Sequence, residues 1–225
     1  MQNYSQYNIG NVCFSVEGAL LVDEVKNMYG FAPFITENQI PSFKVVYAED
    51  KEQPEVKERQ YRFEADGVSS IFCSCEEGYM LKMKHDDGTY LDIWTITNER
   101  TAYVKGDLAP QMLRFALWTA YGIMNVGNGK IPVHGSCIVN SGKAYLFLGE
   151  SGTGKSTHTR LWREYIKGSV LLNDDSPIIS VEEDGVFIYG SPWSGKTPCY
   201  KQEKYPLCAC VRLSQAPYNK IEKLS

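Results

Sequence analysis

Apolar residues alternate with polar or small ones through much of the first hundred positions. Val12, Phe14 and Val16 follow this two-residue period, as do Tyr61, Phe63 and Ala65. Met80-Leu81-Lys82-Met83 and the less regular Tyr90, Ile93 and Trp94 extend it. Such alternation predicts strands that bury one face. Glu77-Gly78 and Asp86-Asp87-Gly88 read as hairpin turns between them, and the charged run from Glu49 to Glu58 reads as a solvated loop. Residues 1–106 are therefore expected to form a small, mainly antiparallel β region. The period changes near residue 107. Leu113, Leu117, Ala120 and Met124 share one helical face, which predicts a helix from Leu108 to Asn125, capped by Asp107, with Pro110 in its first turn. Gly127-Asn128-Gly129 ends it, so residues 107–129 read as a linking helix. Beyond it, residues 130–225 alternate between strand and helix signals. A strand is expected from Ile131 to Val139, a turn at Ser141-Gly142, and a strand from Ala144 to Leu148. A helix from Ser156 to about Ile166, with Gly168 behind it, leads to strands at Val170–Asn173 and Cys208–Leu213.

Between the apolar run ending at Leu148 and the following helix lies Gly149-Glu150-Ser151-Gly152-Thr153-Gly154-Lys155-Ser156, which matches G-x-x-x-x-G-K-[ST] in its strand-to-helix setting. The glycines let successive backbone N–H groups converge on an anion, Lys155 can reach the outer phosphates, and the Ser156 hydroxyl can ligate Mg²⁺. Residues 149–157, including Thr157, are thus the expected ATP-binding segment. Asp174-Asp175 follows Ser156 after only eighteen residues, at the end of an apolar strand. Neighbouring side chains on an extended chain point to opposite sides, so one carboxylate can hold the metal while the other faces an incoming hydroxyl as general base. An acidic turn before Ser176-Pro177 is the plain alternative.

Composition narrows the class. The net charge of −4 across 225 residues, with no Lys/Arg block, excludes a nucleic-acid surface. The polar start Met1–Tyr7 lacks the plan of a signal peptide, and no stretch approaches eighteen apolar residues; the expectation is a soluble, cytoplasmic protein with no membrane contact. Seven cysteines fit reduced thiols. Cys73-Ser74-Cys75 and Cys208-Ala209-Cys210 could make a four-thiolate zinc site, although alternate residues of two strands account for both pairs.

The run Val133-His134-Gly135-Ser136, the phosphate loop, Leu171-Leu172-Asn173-Asp174-Asp175 and Tyr189-Gly190-Ser191-Pro192-Trp193-Ser194-Gly195-Lys196 together resemble the catalytic domain of the HPr kinase/phosphorylase family. The resemblance covers roughly residues 130 to 213. It implies an α/β (α+β) fold, a phosphoenolpyruvate carboxykinase/HPr kinase-like P-loop core preceded by the small β region. It also implies that Asp174 is the catalytic base, Asp175 the metal-side partner with Ser156, and His134 an active-site group, a buried structural histidine being the other reading. Lys196 could reach a transferring phosphoryl group or simply lie in a surface turn. His158 and Arg160, on the helix after the loop, read as packing or covering residues. The half before residue 107 does not match the family's usual amino-terminal domain, so recognition of HPr is not implied, and relatives continue past this chain's last strand with elements that contribute substrate contacts. The expected function is ATP- and Mg²⁺-dependent transfer of a phosphoryl group to a serine or other hydroxyl acceptor on a protein, peptide or small molecule, by a chain compatible with a homo-oligomer. A nucleotide-binding regulatory module without transfer is the alternative. A carboxykinase would need further arginines and a second metal-ligand set that the sequence lacks.

Overall fold

The structure, a computed structural model, describes residues 3–195 and 197–224. It is mostly β, with 44% strand and 19% helix, arranged as two large mixed sheets with three α-helices. This corrects the expected α/β P-loop core. One strand–loop–helix unit suggested alternation throughout, but seven pairs of successive strands are joined as hairpins, and hairpins build sheets without helical crossovers.

The first sheet begins with β1 (Tyr4–Ile9) and β2 (Val12–Glu17), paired antiparallel across Gly10-Asn11. Both turn residues have positive φ, 59° and 62°, the mirror-image turn whose twist suits a two-residue hairpin. α1 (Ala19–Asn27) buries Leu21, Val22 and Val25. After the short β3 (Ile35–Thr36) and β4 (Phe43–Tyr47) comes a meander of β5 (Val56–Ala65), β6 (Val68–Cys75), β7 (Tyr79–His85), β8 (Tyr90–Ile96) and β9 (Thr101–Gly106). The spatial order is β3-β1-β2-β4-β9-β8-β7-β6-β5. β4 runs parallel to both β2 and β9, so this sheet is large and mixed rather than small, although six of its eight pairings are antiparallel, as expected. The charged segment before β5 is tied down where Gln53 bonds Asp92 at 2.7 Å and accepts from Lys82 at 2.9 Å.

α2 (Pro110–Asn125) starts two residues later than expected. Asp107 does not cap it; its carboxylate accepts the Tyr90 N–H at 3.0 Å instead. Proline at the first helical position needs no N–H partner, which suits an uncapped start. The buried face, Leu113, Leu117, Ala120 and Met124 among others, joins one cluster with Phe14, Leu81 and Ile93 of the first sheet and with Ile178, Tyr189 and Trp193 beyond residue 130.

The expected strand Ile131–Val139 is two strands, β10 (Lys130–Pro132) and β11 (Gly135–Asn140). The chain changes partners at Val133-His134: β10 pairs with β14 (Ile178–Glu182), whereas β11 pairs with β12 (Lys143–Leu148) and β13 (Val170–Asp175). α3 (Lys155–Tyr165) links β12 to β13. With β15 (Gly185–Tyr189) and β16 (Lys204–Arg212), the second sheet runs β10-β14-β15-β16-β12-β11-β13. Side chains alternate across it, so Cys137, Leu146 and Leu172 form one cluster while Ile138, Phe147 and Leu171 form another with Trp162 of α3. His158 packs on Phe147, ring centres 5.5 Å apart, and Arg160 pairs with Glu164 at 3.3 Å. Cys73 and Cys75 lie on β6 in the first sheet and Cys208 and Cys210 on β16 in the second, and all are free thiols.

Candidate active site

Strand β11 lies antiparallel between β12 and β13, and it sets the geometry of the site. Gly135 is opposite Leu148 on one side and Asp175 on the other; Ser136 is opposite Phe147 and Asp174. The phosphate loop leaving Leu148 and the acid pair ending β13 therefore emerge at the same end of the sheet. Two strand spacings separate them, about 10 Å. The β11–β13 pairing jumps from Cys137↔Asn173 to Ile138↔Leu171, so Leu172 is an extra residue, a bulge of the kind that re-aims the residues after it.

The loop has a backbone geometry that suits an anion. Gly152 and Gly154 take φ of 81° and 100°, and Gly154 is the residue from which α3 springs, with no side chain capping the helix. The N–H groups of the first turn are thus left for an anion, aided by the helix dipole. Gly149, at φ 153°, is required sterically: a Cβ there would lie 2.6 Å from Thr153 Oγ1 and 3.0 Å from Leu213 O. Lys155 is buried, and its Nζ donates to Gly149 O at 2.8 Å and Glu150 O at 3.0 Å. The ammonium is held across the mouth of the loop by its own carbonyls, which a phosphate would replace as partners. Gln215 donates to Gly152 O at 3.1 Å, and Thr153 Oγ1 to Glu150 O at 2.8 Å.

Asp174 is 6% exposed. Its Oδ1 accepts from Ser136 Oγ at 2.7 Å, while Oδ2 is buried with no partner among the described residues. A buried carboxylate oxygen is costly to leave unpaired, so such an atom points to a ligand or a reacting proton. Ser136 Oγ also contacts Thr159 Oγ1 at 2.9 Å, linking the acid to the helix that carries the loop. Asn173, fully buried, locks the strand end. Its Oδ1 accepts from the N–H groups of Asp175 at 3.0 Å and Ser176 at 2.8 Å, and its Nδ2 donates to Ser191.

Asp175 is partly exposed, and its Oδ1 lies 3.1 Å from His134 Nδ1. His134 is about half exposed, which removes the reading of a buried structural histidine. A loop folds over the pair: Ser194 bridges to Asp175, and a Cβ on Gly195 would sit 2.9 Å from Asp174 O. That loop is anchored from the other half of the molecule. Trp193, 2% exposed, packs against Phe31 and Tyr121 with ring centres 5.8 and 5.6 Å away, and its Nε1 donates to Arg114 O at 3.0 Å. The Arg114 guanidinium donates to Tyr29 O at 2.9 Å, to Pro192 O and, at 3.5 Å, to Ser194 O. Burial draws the Arg114 pKa down from its ordinary value, against the opposing fields of Tyr200 and Asp175.

Of the residues expected from sequence, the structure brings together the loop 149–157, Asp174, Asp175 and His134 at one sheet end. Lys196 lies outside the described residues. Sequence reasoning did not single out Ser136, Thr159, Asn173 and Arg114 as site residues. For Ser136 the available signal was its place directly after His134-Gly135 on a strand, and for Asn173 its place directly before the acid pair, whose following N–H groups it caps; Arg114 acts through long-range contacts that leave no local pattern. Ser156 and the acid pair form a hard-oxygen donor set. That set fits Mg²⁺, which takes one or two carboxylates and completes its shell with water and phosphate oxygens. Surface concavities of about 630 Å³ beside Lys82, Lys84 and Asp92, and of about 390 Å³ between Asn8, Gln39, Tyr189 and Gln202, lie elsewhere. No protein-family model matches this chain, and no curated protein matches it. Among the described residues, no helix is long and apolar enough to cross a membrane.

Proposed function

We propose that the chain is an ATP- and Mg²⁺-dependent phosphotransferase, related in its chemistry to the HPr kinase/phosphorylase family, that moves the γ-phosphoryl group onto a serine or other hydroxyl. The observation that carries this reading is the Oδ2 of Asp174, buried with no partner among the described residues and delivered two strands from a glycine-rich loop whose first-turn amides lack a side-chain cap. A protein that only bound nucleotide would have no need of a base poised beside the γ-phosphate.

On this reading Lys155 leaves Gly149 O and Glu150 O for the β- and γ-phosphates, and the loop amides hold the remaining phosphate oxygens. A bound Mg²⁺ would supply positive charge to offset the negative charge that develops on transfer. Ser156 and Asp175 are the residues that would hold it. Asp174 Oδ2 accepts the acceptor's hydroxyl proton while the new O–P bond forms and the bond to the β-phosphate oxygen breaks. ADP leaves with the electron pair of that bond. His134 orients Asp175 across their 3.1 Å contact. The reading places the chain in the cytoplasm, where ATP and Mg²⁺ are at hand.

The test is incubation with γ-labelled ATP and Mg²⁺, alone and with cell extract, beside Asp174→Asn. Label moving to a protein or small molecule only with the unaltered chain supports the proposal and reveals the acceptor. Nucleotide binding with no transfer in any arm overturns it in favour of a regulatory module.

A further inference from the structure

The hydroxyls behind Asp174 have fewer protons than contacts. Ser136 Oγ donates its one proton to Asp174 Oδ1 at 2.7 Å. It has none left for Thr159, so the 2.9 Å contact between the two hydroxyls requires Thr159 to donate. Thr159 also has one proton, and a second acceptor competes for it: the carbonyl of Ser156, at 3.2 Å, in the first turn of α3. Ser136 and Thr159 are each 1% exposed, so water does not join the competition.

We propose that Thr159 is a positioning residue whose hydroxyl couples the phosphate loop to Asp174. With its proton on Ser136, the chain Thr159→Ser136→Asp174 is polarised in one direction, each bond strengthening the next. That pins Oδ1 and leaves Oδ2 as the carboxylate oxygen able to take a proton. With the proton on Ser156 O, the chain is broken at Ser136 and the carboxylate is held by one weaker bond. Ser156 belongs to the phosphate loop, so phosphates that draw the loop amides toward themselves move Ser156 O relative to Thr159 and decide between the two acceptors. Occupancy of the loop thus reaches the acid two strands away without a ligand touching it. The inference rests on the phosphotransferase reading and deepens it: the base is set only when nucleotide is seated.

The probe is ADP in EDTA, which can engage the loop while supplying neither metal nor γ-phosphate to Asp174. Hydrogen–deuterium exchange is followed in residues 149–158 and in residues 170–176, with Thr159→Val removing the hydroxyl at constant shape and Thr159→Ser restoring it. In the unaltered chain and in Thr159→Ser, ADP should slow exchange in both segments; in Thr159→Val it should slow only residues 149–158. An equal response of residues 170–176 in Thr159→Val, or none in the unaltered chain despite loop protection, overturns the coupling. Absence of loop protection in the unaltered chain sinks the phosphate-binding reading, and the coupling with it. Coupling seen without transfer from ATP removes the kinase reading and leaves the coupling standing. In the transfer assay, Thr159→Val should lower kcat about tenfold, the worth of one net hydrogen bond, with KM for ATP within about twofold and recovery in Thr159→Ser. If Thr159→Val does not fold, Thr159→Ala removes the same hydroxyl and is read in the same way.

Discussion

Replacing Asp174 by Asn separates chemistry from stability in a way the surroundings allow to be worked out. The amide keeps an oxygen where Oδ1 accepts from Ser136, so that bond survives but loses its charge assistance, about 1 kcal/mol. The NH₂ group takes the place of Oδ2, which is already buried with no partner among the described residues, so no additional polar atom is orphaned among them. The ligand-free chain should therefore lose no more than about 1 kcal/mol, a melting shift of about 2–4 °C for a chain of this size. Ser136→Ala is the contrasting perturbation. It strips the donor from a buried carboxylate and leaves both oxygens unpaired, at a cost of about 2–3 kcal/mol, roughly twice the shift or more. Transfer should behave in the opposite order, with Asp174→Asn slowing it by about 10²–10⁴ because no base remains. Calorimetry without nucleotide, beside the γ-labelled transfer assay, reads both quantities. A loss above about 3 kcal/mol in Asp174→Asn would make the carboxylate a structural keystone, and undiminished transfer would remove it as the base; either refutes the reasoning.

Lys155→Ala should abolish the thermal stabilisation given by Mg²⁺-ATP, and an unchanged shift would remove the phosphate-loop assignment. Gly149→Ala, at positive φ and against Thr153 Oγ1 and Leu213 O, should cost about 1–3 kcal/mol by denaturant titration. Trp193→Ala should cost about 3–5 kcal/mol and weaken the acid pair's setting, seen as a fall in both melting temperature and transfer rate. The Lys204 ammonium, together with Ser180, holds the Glu182 carboxyl down at about 2 from its ordinary 4.5. A depressed carboxylate contributes stability above the ordinary value and loses it as pH falls from about 4.5 toward 2. Acid titration of Glu182→Gln should lack that part of the loss.

Features written in consecutive residues were legible in the sequence. The glycine spacing before Lys155, the apolar face of Leu113, Leu117, Ala120 and Met124, and the turns at Ser141-Gly142 and Asp86-Asp87-Gly88 each rest on local geometry. What the sequence hid depends on pairing between distant strands. Ile131 to Val139 reads as one apolar run, and Pro132 and Gly135 are its only local marks of the change of partner at Val133-His134. The α/β expectation failed for a related reason: one strand–loop–helix unit carries the same local signal in a parallel sheet as in this one, where β11 runs antiparallel between β12 and β13. α1 was missed because only Leu21, Val22 and Val25 mark its buried side, too short a pattern to stand out. The Asp66-Gly67 pair, a two-residue turn with φ of 51° and 75°, was an available signal for the β5–β6 hairpin.

The cluster that α2 shares with Phe14 and Ile93 on one side and Ile178 and Trp193 on the other has a consequence for how the molecule can be divided. A cut after Gly106 or after Gly129 would strip one wall from that cluster and leave large apolar faces in water on both pieces. The halves should then be unable to live apart: neither is expected to express as a stable fragment, and the intact chain should unfold in one step. Nor can the amino-terminal sheet be exchanged like a cassette for another sensor or partner-binding unit, because the tryptophan that steadies the loop over the acid pair is seated in its core.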